Sequence, residues 1–142
     1  MTITRVLVAH DAGARSFENR GPGKGLIQLS SVDFEDGRRH TGELSADRSG
    51  RRGAQGAHEP EQDPKTHAIE YFAKELARDL GRALREGAFT QLVLVAPPRF
   101  LGLLRAELDV LLQRAVIATV PKALPRATTA ELCAQLAPHL AC

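Results

Sequence analysis

Only two of the 142 residues are cysteine, Cys133 and Cys142, and tryptophan is absent. No C-x-x-C pair and no spaced Cys/His cluster occurs, which excludes a disulfide-built scaffold and a compact structural zinc site and fits a reducing compartment. Long hydrophobic runs are missing too. The first apolar stretch, Val6-Leu7-Val8-Ala9, meets His10 and Asp11 at once. That is too short for the core of a secretion signal, and no run approaches the roughly 18–20 residues of a membrane span. A cytoplasmic protein without a membrane span is expected. Charge of one sign is not in excess: 19 Lys plus Arg stand against 17 acids, net +2, so composition alone names no acidic partner. No phosphate-cradling G-x-x-x-x-G-K-[ST] segment and no G-x-S-x-G elbow is present. Gly21 and Gly23 precede a strand rather than a helix. No cofactor is predicted.

What remains is ordinary globular usage, 43% hydrophobic and 25% charged, in a length that suits one domain over residues 1–142. Residues 4–9 are β-branched and apolar and predict a buried strand. His10-Asp11-Ala12-Gly13 then serves as a tight connection to a second strand near 14–18. The run Gly21-Pro22-Gly23-Lys24-Gly25 is a turn signal, and residues 26–34 alternate as a third strand. Asp63-Pro64 opens a helix whose Ile69, Phe72, Ala73, Leu76, Ala77, Leu80 and Leu84 recur at three and four residues, with Gly87 as its stop. Residues 91–96 form a continuous apolar strand ended by Pro97-Pro98. Helical periodicity runs from Phe100 to Ala115, and residues 116–120 give a last strand. Thr128 with Glu131 reads as a capping box opening a final helix, stopped by Pro138. This order predicts an α/β fold with a mixed five-stranded sheet. The first three strands are antiparallel, and the last two are parallel beside the first through right-handed crossovers.

Residues 35–65 break the pattern, with glycines at 37, 42, 50, 53 and 56, many charges and few large apolar side chains. A structureless loop of this length inside a small domain is a place to look for activity. Between residues 38 and 52, Arg38, Arg39, Arg48, Arg51 and Arg52 outweigh Glu43 and Asp47. Guanidinium groups suit phosphate, so structured RNA is one candidate partner, although no aromatic residues interleave to stack bases. Pro97-Pro98-Arg99-Phe100 lies at the carboxyl end of a central strand, where open α/β sheets bind ligands. His10 with His40, His58 or His67 matches no compact metal-ligand spacing, and no metal is predicted. His67, Glu70 and Tyr71 lie one turn apart on the long helix and are read as its surface.

The predicted order is that of the ribonuclease-H-like superfamily. Two-metal nuclease chemistry there needs converging carboxylates, whereas residues 91–96 contain no acid and Asp11 reads as a turn residue. Val6-Leu7-Val8-Ala9, Ala14-Arg15-Ser16-Phe17-Glu18, Asp47-Arg48-Ser49-Gly50-Arg51, His58-Glu59-Pro60 and, above all, the passage from Leu92 to Gly102 through Pro97-Pro98-Arg99-Phe100 resemble the bacterial host attachment protein family. The resemblance covers about residues 4–137. That family is in turn similar to the central domain of archaeal and eukaryotic peptide-chain release factors and Pelota, which implies the same fold. In release factors a Gly-Gly-Gln tip before the long helix helps water cleave peptidyl-tRNA; here Gly53-Ala54-Gln55 occupies that place, with Ala54 for the middle glycine.

Two function classes follow from the resemblance. One is a non-enzymatic host-attachment protein acting through protein, RNA or ribosome binding, with Arg48, Arg51, Arg52, His58, Pro98, Arg99 and Phe100 as contact residues. The other is a ribosome-rescue or release-like hydrolase using Gln55. A homo-oligomer is compatible with either.

Overall fold

The computed structural model describes residues 2–34 and 64–142, apart from the side chain of Lys65. Three strands open the chain: β1 (Thr4–His10), β2 (Gly13–Asn19) and β3 (Ile27–Asp33). The long helix α1 (Pro64–Arg85), β4 (Gln91–Val95), α2 (Pro98–Ala106), α3 (Val110–Ala115), β5 (Val116–Val120) and α4 (Thr129–Leu136) follow. The sheet order is β3-β2-β1-β4-β5. β1 is antiparallel to β2, with Val6 opposite Phe17, and parallel to β4, with Val6 opposite Val93. β5 adds in parallel on the far side of β4. This is the mixed five-stranded sheet expected from the sequence.

The apolar runs explain the middle of the sheet. Strands flanked on both sides and covered on both faces must be hydrophobic throughout, and Leu92, Val93, Leu94, Val95 and Ala96 are all buried, as are Val6, Leu7, Val8 and Ala9. On one face Leu7, Ala9, Leu92 and Leu94 pack with Ile69, Phe72, Leu76 and Leu80 of α1, Phe100 and Leu104 of α2 and Leu112 of α3. On the other face Val6, Val8, Phe17, Val93 and Val95 meet Leu132 and Leu136 of α4. Each such side chain contributes about 1.5–3 kcal/mol by leaving water.

Helix ends follow their local chemistry. Gly87, at φ +81°, adopts the left-handed conformation that ends α1, and its N–H donates to Leu84 O at 3.0 Å. The capping box on α4 is present: Thr128 Oγ1 accepts from Glu131 N at 3.1 Å, and Glu131 Oε1 accepts from Thr128 N at 2.8 Å. Among the described residues no helix is long and apolar enough to cross a membrane.

Two expectations are corrected. The helical stretch from Phe100 to Ala115 is two helices, because the Asp109 side chain accepts from Leu112 N at 2.9 Å and restarts the helix as an N-cap. Leu111, expected on the apolar face, is consequently 52% exposed. The helix begins at Pro64, as Asp63-Pro64 predicts, so the loop read over residues 35–65 gives up its last two residues to α1. The third strand is present as expected, and every residue of β3 is exposed. β3 is the sheet's edge, with only β2 beside it, and the helices pack over the middle strands. Its end is tied down just beyond the strand, where Phe34 stacks on Phe72 at 4.4 Å and 3° between planes.

Candidate functional site

The parallel pair β1 and β4 brings two chain turns to one edge of the sheet. β1 leaves through Asp11, where Ala12 N donates to His10 Nδ1 at 3.1 Å and tightens the turn. β4 leaves through Pro97-Pro98 into α2. Pro97 is extended (φ −58°, ψ 151°), Pro98 takes the first helical position, and Leu101 N donates to Pro97 O at 2.8 Å. Proline suits that position, because its missing N–H would have no partner within the helix.

Between these turns and the first turns of α1 lies a cleft of about 300 Å³, lined by Asp11, Thr66, Ile69, Pro97, Arg99, Phe100 and Leu103. Its floor is apolar, with Phe100 and Ile69 buried. Its rim carries one carboxylate, one hydroxyl and one guanidinium, from Asp11, Thr66 and Arg99. Few polar groups over an apolar floor make an arrangement for binding and orientation. Sharing Leu103 with the cleft, a second groove of about 530 Å³ runs between α1 and α2, lined also by His67, Glu70, Tyr71, Lys74 and Glu107. Tyr71 is 60% exposed there.

The described residues next to 35–63 in sequence, Phe34 and the first turn of α1, both lie near this region. Phe34, the last residue before that stretch, stacks on Phe72, which contacts Phe100 of the cleft floor at 5.8 Å between centroids. The first turn after it contributes Thr66 to the rim.

Of the residues singled out from sequence, Arg99 and Phe100 line the cleft and Pro98 is exposed beside it. Arg48, Arg51, Arg52, Gln55 and His58 lie outside the described residues, as do Arg38 and Arg39. Asp11, read only as a turn residue, is in the turn and also lines the cleft. Thr66, Ile69 and Leu103 were not foreseen. They belong to helices whose faces toward the sheet's edge are set by tertiary packing, and only the rule that parallel strands present their carboxyl ends together could have pointed there. Among the described residues no group of three or more His, Cys, Asp or Glu side chains is placed to hold a metal ion.

Two other cations are partly buried but sit elsewhere. Arg5 lies over the Phe89 ring at 4.9 Å and Arg15 over Phe17 at 5.1 Å. Burial pushes the Arg5 guanidinium below its ordinary value, and the nearby Glu18 carboxylate opposes that shift. Arg15 also donates to Leu124 O at 3.1 Å. Arg5 thus joins β1 to the connection before β4, Arg15 joins β2 to the connection after β5, and neither lines the cleft.

Strand order and helix placement define an α/β fold with a mixed five-stranded sheet, helices on both faces and a cleft at the carboxyl edge. The chain is similar in structure to the archaeal translation termination factor aRF1, with a TM-score of 0.54 and 10% sequence identity over 92% of this chain. It spans 33% of that factor's length. No curated protein sequence matches. A family model described as "Protein required for attachment to host cells" matches residues 5–136, and the chain belongs to this host-attachment family.

Proposed function

We propose that the chain is a non-enzymatic binding module of the host-attachment family whose partner is structured RNA, with the ribosome as the natural source of such RNA. The observation that carries the reading is the cleft that displays Arg99: Thr66 lines it, and Phe34 reaches its floor residue Phe100 through Phe72, and these two residues lie on either side of the arginine-rich segment in sequence. Arg48, Arg51 and Arg52 in that segment supply cations that match phosphate geometry. Tyr71, exposed in the adjoining groove, supplies the stacking face that the segment itself lacks. The similar archaeal protein is a translation termination factor, which agrees with an RNA-rich setting. On this reading the chain acts in the cytoplasm as a single domain, and any part in attachment to host cells is indirect.

The test is binding of the purified chain to a structured RNA across a salt series. Affinity should fall steeply with salt, and joint replacement of Arg48, Arg51 and Arg52 by alanine should weaken binding and lower the log–log slope by about 2–3, near one per lost phosphate contact. An unchanged slope removes the segment as the contact surface.

A second reading rests on Gly53-Ala54-Gln55, placed before α1 as the Gly-Gly-Gln tip is in release factors. It predicts peptidyl-tRNA cleavage that Gln55→Ala abolishes without altering thermal stability. Binding without cleavage supports the first reading against it.

A further inference from the structure

The two cysteines take no part in the cleft, yet the fold brings them together. Cys133 sits in the second turn of α4, half-buried against Leu132, Leu136 and the apolar face they cover. After α4 the chain folds back on itself, with the N–H groups of His139 and Leu140 both donating to Leu136 O at 2.8 Å. Cys142, also half-buried, packs on the same cluster.

Cys142 is held there independently of its thiol. Its carbonyl accepts from Gly25 N at 3.3 Å. Gly25, at φ +75°, is braced in turn by the buried Asn19, whose Nδ2 donates to Gly25 O at 2.8 Å. With its backbone held by the turn between β2 and β3, Cys142 lies beside Cys133 on the apolar cluster against which both pack. A disulfide between neighbouring thiols needs their Cα atoms within about 7 Å, an approach that the end of the chain can supply. The segment that must move, residues 137–142, lies outside regular structure.

We propose that Cys133 and Cys142 form a dithiol modification site that closes to an intramolecular disulfide under a hydroperoxide and reopens under a thiol reductant. Cys133 attacks first: its sulfur bonds a peroxide oxygen, the O–O bond breaks, and water or an alcohol leaves with the thiol proton. Cys142 then attacks the resulting sulfenic sulfur. The S–S bond forms, the S–O bond breaks, and the departing hydroxide takes the Cys142 proton as water. Two electrons pass from the two thiols to the peroxide. The order of attack follows from the local environment: burial first, and the neighbouring Cys133 second, push the Cys142 thiol up to about 12, so it keeps its proton at neutral pH and acts second.

Closure joins α4 to the segment that braces the β2–β3 turn, across a loop of about ten residues, and should raise the melting temperature by roughly 5 °C. The test treats the reduced full chain with hydrogen peroxide and follows intact mass, free thiols and melting temperature. Both thiols should vanish together, the monomer should become lighter by two hydrogens, melting should rise, and dithiothreitol should reverse all three. In Cys142→Ser the sulfenic acid on Cys133 should persist and be captured by a 1,3-dione at several-fold higher yield than in the parent chain. Oxygen addition at either sulfur without loss of the other thiol, disulfides only between chains, or equal dione capture in the two proteins overturns the proposal. Cys133→Ser supplies the control in which no dione adduct should form.

Discussion

Strands β4 and β3 were both legible in the sequence as strands, yet they have opposite fates. β4 is buried along nearly its whole length between β1 and β5, under helices on both faces. β3 is exposed along all of its length, with Ile27, Leu29 and Val32 among the exposed large apolar side chains. A continuous apolar run states its own position, because only a strand enclosed on both faces can use it. An alternating run states only that one face differs from the other; whether anything covers the apolar face depends on where helices land. Here α1, α2 and α3 cover one face of the central strands and α4 the other, and neither set reaches the outer edge beside β2.

The contrast can be broken from the β4 side first. Leu94 is fully buried in the cluster beneath α1. Leu94→Ala should cost about 2–5 kcal/mol in denaturant unfolding, by lost transfer energy and a residual cavity. Where β2 meets β3 the sheet is tight despite the exposure: a Cβ at Gly13 would come within 2.8 Å of the Val32 carbonyl oxygen. Gly13→Ala should therefore cost about 1–3 kcal/mol through forced displacement of β3, with faster amide exchange in β3 than in β4. Thr128→Ala removes one arm of the capping box and should cost about 1 kcal/mol, without altering exchange in β4. At the far end of the scale, Ile27→Thr on β3 should change stability by no more than about 0.5 kcal/mol. A loss near the Leu94→Ala value would mean that something covers β3.

The same reasoning says why parts of the fold could be read and others could not. Element identity, sheet order, the α1 stripe and the capping box follow from local spacing and turn chemistry. The break at Asp109 did not, because Leu108, Leu111, Leu112 and Ala115 keep a helical period across it and the cap depends on a single side-chain bond to Leu112 N. The cleft was half legible. Pro97-Pro98-Arg99-Phe100 announced itself as a strand-to-helix turn, whereas Asp11, Thr66 and Leu103 join it only once β1 and β4 are parallel neighbours and α1 is docked. Arg5 reaches the Phe89 ring only because β1 pairs with β4, whereas Arg15 lies over Phe17 two residues along the same strand.

The central claim is that RNA is the partner and that attachment is a downstream consequence. Crosslinking of the native chain in its own cells, followed by identification of both bound RNA and bound protein, tests it most directly. The account predicts recovery of structured RNA with ribosomal proteins, lost when Arg48, Arg51 and Arg52 are replaced together. Recovery of an envelope or host protein alone, with no RNA and no effect of those replacements, would contradict it.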